Sequence, residues 1–160
     1  YFSVAGNQLT GTIPSISHLV NLEAYAVRYN QLTGPLPSLA GLTHLLRFRA
    51  SHNQLTGNMN AVGDLSNLNL DLFEAGYNQL TGAPPAAPST LDAGLSNLCP
   101  NNLSKPYPDS PAWDAATGST PWWSACDTAA PTAVPTLGQW ALTLLGLMVA
   151  GVAALRGRRA

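Results

Sequence analysis

YNQLTGPLPSLAGLTHLLRFRASHNQLTG, residues 29–57, writes Asn-Gln-Leu-Thr-Gly twice at an interval of 23 residues. The same five letters stand at 7–11 and 78–82, and a degenerate copy, Asn101-Asn102-Leu103-Ser104, follows. The successive asparagines, Asn7, Asn30, Asn53, Asn78 and Asn101, are 23, 23, 25 and 23 residues apart. A fixed period in the twenties indicates a solenoid, in which small units stack because none can bury its apolar side alone.

Counting back from each asparagine finds apolar residues at constant offsets. Three and five residues earlier stand Val4 and Phe2, Val27 and Tyr25, Ala50 and Phe48, Ala75 and Phe73. Eight residues earlier come Leu22, Leu45 and Leu70, and two residues later Leu9, Leu32, Leu55 and Leu80. Six residues later, Ile13, Leu36 and Met59 begin a return segment that continues to Ile16, Leu39 and Val62. Each unit reads as a short strand with alternate residues inward, a turn, and an extended return.

The pattern L-x-x-L-x-x-L-x-L-x-x-N-x-L-T-G-x-I-P, visible at Leu19 to Pro37 and Leu42 to Asn60, resembles the leucine-rich repeat in the subtype of plant receptor ectodomains. The resemblance covers about residues 1–104. It implies an α/β-type solenoid with short parallel strands on a concave face and a mostly irregular or 3-10 convex side. It also implies that the five asparagines form a ladder inside the turns, where an amide side chain satisfies both N–H and C=O groups. Tyr1-Phe2-Ser3-Val4 already occupies a strand, so upstream repeats are expected to be missing.

Charged residues make up only 9 % of the 160-residue chain, and the net charge is −1. Three of the seven basic residues, Arg156, Arg158 and Arg159, sit at the very end, leaving four against eight acidic ones elsewhere. This balance points away from nucleic acid as a partner.

After Gly82 the composition changes to Ala-Pro-Pro-Ala-Ala-Pro, and residues 89–104 read as a worn last repeat. Cys99 and Cys126, the two cysteines, bracket Tyr107, Trp113, Trp122 and Trp123. Residues 105–127 therefore read as a Trp-rich cap closed by a disulfide, with two free thiols in a linker as the alternative. Two cysteines with no nearby histidine are too few for zinc. Residues 128–136 are a Pro/Ala/Thr linker. Leu137 to Leu155 is free of charge for 19 residues, about 28 Å as a helix and enough to span a bilayer. The arginines behind it would stay in the cytoplasm, placing everything earlier outside, in an oxidising compartment.

Residues 134–160 are similar to the bacterial IPTL-CTERM sorting signal, which joins a short motif, a transmembrane helix and a basic tail. Pro135, Thr136, Leu137 and Trp140 match it, while Val134 and Ala141 replace Ile and Gly. The resemblance implies an exosortase-like processing enzyme as partner and delivery to the envelope surface. An ordinary single-pass tail anchor is the alternative.

No phosphate loop, metal-spaced cluster or nucleophile elbow occurs, so neither an enzyme nor a cofactor is expected. Asp71 and Glu74 are three apart and are expected on opposite faces, which argues against a carboxylate pair for glycoside cleavage. His18 and His44 fall at convex or loop positions. Alternation turns Ala24, Ala26, Arg28, Arg47, Arg49, Ser51, Leu72, Glu74 and Gly76 outward, with Tyr29, His52 and Tyr77 at the adjoining turn. Arginine and tyrosine are enriched where proteins bind partners. The expectation is a surface-displayed module for a protein or glycan ligand; the alternative is a passive envelope protein.

Overall fold

The computed structural model describes residues 1–126. The linker at 128–136, the apolar span, the sorting-signal residues and the arginine tail lie outside the described residues. Among the described residues no helix is long and apolar enough to cross a membrane.

Four short strands, β1 (Phe2–Ser3), β2 (Ala24–Ala26), β4 (Arg47–Arg49) and β6 (Leu72–Glu74), form a parallel sheet in the order β1-β2-β4-β6. Phe2 pairs with Tyr25, Tyr25 with Phe48 and Phe48 with Phe73, so the register follows the sequence repeat. A bridge from Glu74 to Asn97 carries the pairing into the fifth unit. Because the register is constant, the inward aromatic rings stack along the axis. Their centroids are 5.2 Å, 5.8 Å and 5.6 Å apart from Phe2 through Tyr25 and Phe48 to Phe73. Leu22, Leu45, Leu70, Leu32, Leu55 and Leu80 complete the interior with the return-segment residues Ile16, Leu39 and Val62. Each such side chain contributes about 1.5–3 kcal/mol when buried. Phe2 and Leu9, in the first unit, remain exposed.

The asparagines join one unit to the next. The Asn53 amide nitrogen donates to Ala50 and Ser51 in its own unit, both at 3.2 Å, and to Val27 in the preceding one at 3.0 Å. Its oxygen accepts from the Leu32 N–H at 3.0 Å. Asn30, Asn78 and Asn101 repeat this arrangement of donors to two units and one acceptor. Asn7 bonds only within its own unit, to Val4 and Ala5.

The NQLTG segments form a second parallel sheet that their sequence does not announce. Strands β3 (Thr33–Gly34) and β5 (Gln54–Leu55) pair, and bridges Thr12 to Thr33 and Asn58 to Thr81 extend the ladder. These residues are mostly polar and exposed, so no hydrophobic alternation marks them. They pair because extended backbones repeat at the stacking interval and bring N–H to C=O, as in Gln54 to Leu32 at 2.8 Å and Gln79 to Leu55 at 2.8 Å.

The return side holds a 3-10 turn at Met59–Val62, whose start is capped by the Asn58 side chain accepting from the Asn60 N–H. The longer interval before Asn78 is absorbed between Leu65 and Leu70, with Leu68 buried, and the pairing of β4 with β6 is unaffected.

Beyond the last repeat, helix α1 (Pro111–Thr117) begins with the Ser110 hydroxyl accepting from the Trp113 N–H and ends at Gly118 in a left-handed conformation. Proline at the first turn and glycine after the last are preferred at those places. The helix buries Trp113 and Ala116. The Trp113 ring lies 6.0 Å from Phe73, closing the interior aromatic stack, and its indole N–H donates to the Pro85 carbonyl at 2.8 Å. The carbonyls of Ala115 and Ala116 accept from Gly94 and Ser96. A 3-10 turn at Trp122–Cys126 packs Trp122 against Tyr107, and Cys99 is bonded to Cys126. A crosslink over such a loop removes unfolded-state entropy worth about 3–3.5 kcal/mol.

Candidate functional site

Arg47 and Arg49 of β4 lie at equal register with Leu72 and Glu74 of β6, and Arg28, two residues beyond β2, joins this strip through its ion pair with Glu74. Glu74 is its centre: one carboxylate oxygen lies 3.6 Å from an Arg28 terminal nitrogen and 3.8 Å from Arg49 Nε. Asp71 reaches Arg47 Nε at 3.4 Å. Asp71 and Glu74 thus both serve arginines of the same strip and are not directed to opposite faces. Asp71 precedes the first residue of β6, where strand alternation does not govern it.

These contacts are ion pairs rather than hydrogen bonds. Arg49 Nε and the facing oxygens of Asp71 and Glu74 are buried atoms without a hydrogen-bond partner among the described residues. Partly exposed pairs of this kind contribute about 0–1 kcal/mol each. Toward β1 the same face falls away into a depression of about 190 Å³ bordered by Ser3, Ala24, Ala26, Arg47 and Arg49. The strip is narrower than alternation predicts, because Ser51, Leu72 and Gly76 are buried. At Gly76 the reason is visible: a Cβ there would collide with the Asn97 side chain and the Cys99 carbonyl.

At the turn that ends each strand, Tyr29, His52 and Tyr77 take φ of 56°, 55° and 57°. This left-handed conformation costs residues other than glycine about 1–3 kcal/mol. The three rings stack, Tyr29 on His52 at 4.4 Å and His52 on Tyr77 at 4.1 Å, with interplanar angles of 15° and 10°. The Arg28 guanidinium lies 5.7 Å from the Tyr29 ring centre. The corresponding position in the first unit is Gly6, at φ 71°. Each of these residues immediately precedes a ladder asparagine, the one signal by which the stack could have been read from sequence.

Burial between the two tyrosines lowers the His52 pKa, with Glu74 opposing the shift and Arg28 adding to it. The unfolded chain therefore takes up a proton at His52 before the folded one does. This contribution to stability is complete above the unfolded value of about 6.5 and is lost as pH falls through the folded value. A His52→Phe variant should have a smaller drop in unfolding midpoint between neutral pH and pH about 5 than the parent. Thermal melts of both proteins at matched ionic strength check this.

His18 and His44 are exposed, and His44 Nδ1 lies 3.2 Å from the Val20 carbonyl. Among the described residues no group of three His, Cys, Asp or Glu side chains is placed to hold a metal ion.

Residues 132–159 match the IPTL-CTERM motif. No curated protein matches the chain. Among solved structures, the chain is similar to the BIR2 ectodomain from Arabidopsis thaliana at 24 % identity and a TM-score of 0.48, over 69 % of this chain and 57 % of that one. It is also similar to a chain of the BIR3–SERK2 complex from Arabidopsis thaliana at 23 % identity and a TM-score of 0.48, over 66 % of this chain and 57 % of that one. The chain therefore spans little more than half the length of either. Parallel strands at constant register, leucines inward at fixed offsets and asparagines bonded across units make the repeats a solenoid by their own pairing.

Proposed function

We propose that the chain is an exported surface protein whose repeats, residues 1–104, hold a protein or glycan ligand on the concave strip. Residues 105–127 cap the solenoid, 128–136 space it from the envelope, and 137–160 form a transmembrane sorting signal. In this reading an exosortase-like enzyme recognises Val134, Pro135, Thr136, Leu137 and Trp140. Arg156, Arg158 and Arg159 hold the end of the helix on the cytoplasmic side. The observation that carries the binding role is the meeting of Arg28, Arg47 and Arg49 with Glu74 and Asp71 on one strip, in ion pairs longer than hydrogen bonds. Exposed arginines beside tyrosines are the usual anchors of a recognition surface.

Binding of the full chain to intact cells of the source organism and its neighbours tests this reading. Replacing Arg47 and Arg49 together with alanine should weaken saturable binding by about tenfold or more, the equivalent of about 1.4 kcal/mol. Equal binding by parent and variant rejects the strip. A second reading is a passive envelope protein, and one observation favours it: each of the three guanidiniums already faces a carboxylate. Absence of saturable binding to any cell surface would support that alternative.

A further inference from the structure

Three exposed or half-exposed rings occupy backbone positions that ordinary side chains avoid, and Gly6 shows that the turn accommodates glycine at the same place. Strained conformations retained at successive units point from geometry toward use. Among the described residues the stack is also open at one end. A Cβ added at Gly6 would meet nothing within 4 Å, and Tyr29 is 53 % exposed. Tyr29 has His52 as its one ring neighbour among the described residues.

We propose that the open face of Tyr29, beside Gly6, receives a single aromatic side chain from a partner protein as a further rung of the stack. This deepens the binding role given to the strip and rests on it. A flat ring suits the site because the existing rungs are nearly parallel and spaced at 4.1–4.4 Å, a geometry in which offset aromatic rings attract. The Arg28 guanidinium, 5.7 Å from the Tyr29 ring centre, is paired with Glu74, so the platform for the incoming ring is Tyr29 itself. A sugar would require several hydrogen-bonding groups around its rim. Here the Asn7 amide nitrogen is committed to Val4 and Ala5 and the Arg28 guanidinium to Glu74.

Titration of the isotope-labelled full chain with N-acetyl-tryptophanamide, followed by NMR, tests the proposal. Saturable shifts are expected at the Gly6 amide and the Tyr29 ring, with millimolar affinity. Gly6→Tyr, which fills the position with a rung of the protein's own, and Tyr29→Gly, which removes the platform without strain, should each abolish them. The Arg47→Ala/Arg49→Ala variant should retain them. The absence of shifts in the parent, or shifts that persist in both ring variants, would overturn the proposal. So would a response to methyl β-glucopyranoside with none to the tryptophan derivative, which would identify a glycan site. In the cell-binding assay, loss with the arginine variant but full binding with Tyr29→Gly would leave the strip standing and reject this extension of it.

Discussion

Asn78→Leu should lower the stability of the solenoid by about 3–5 kcal/mol, because four hydrogen bonds of about 0.5–1.5 kcal/mol each are lost and the buried Leu55 N–H loses its partner, while Asn53, Asn101 and His52 still donate to the Ala50, Ala75 and Gly76 carbonyls. The Asn78 amide nitrogen donates to Ala50, Ala75 and Gly76 at 3.0 Å, 3.1 Å and 3.2 Å, and its oxygen accepts from the Leu55 N–H at 3.0 Å. Leucine has the same side-chain branching and none of these capacities. Two of the partners belong to the preceding unit, so the loss falls on the coupling between repeats as well as on one turn. Asn7→Leu provides the contrast: Asn7 is exposed and bonds only within its own unit, and the change should cost no more than about 1 kcal/mol. Urea unfolding followed by circular dichroism checks both. Equal effects at the two positions would mean that the ladder does not couple the repeats.

The second large effect is expected where the cap closes the interior. Trp113→Ala should cost about 3–5 kcal/mol, the range for truncating a buried tryptophan. Trp113 is 1 % exposed, covers Phe73 and satisfies the Pro85 carbonyl. Its removal opens a cavity against the last ring of the stack and leaves an acceptor unpaired. Trp113→Phe should recover most of the apolar contact while leaving the Pro85 acceptor unpaired, and so fall between parent and alanine. Denaturant midpoints with the disulfide intact isolate this packing effect from that of the crosslink.

The difference between what was readable in the sequence and what was not has a physical pattern. Burial repeats at fixed offsets, so the inward positions of Tyr25, Phe48 and Phe73 and their leucine neighbours are visible as periodicity. The second sheet is invisible to the same method, since Thr33 and Gln54 are exposed and their pairing depends on stacked backbone alone. Helix α1 was masked by the tryptophans around it, although Ser110, Pro111 and Gly118 supply ordinary start and stop signals. The ring stack contradicts local preference: Tyr29, His52 and Tyr77 adopt a conformation that propensity assigns to glycine, and contact between rings of successive units sustains it. For the strip, the register brings three arginines together, but alternation cannot foretell that Asp71 turns back to Arg47 or that Asn97 occupies the space beside Gly76. Both depend on residues outside the regular strand.

The two residues gained between Leu65 and Leu70 leave the opposing strands in step. A gene built this way tolerates slippage and unequal crossing-over, provided that the change in length falls on the outer curve. Copies can be added or lost, and the outward strip reshuffled, without the interior having to be redesigned.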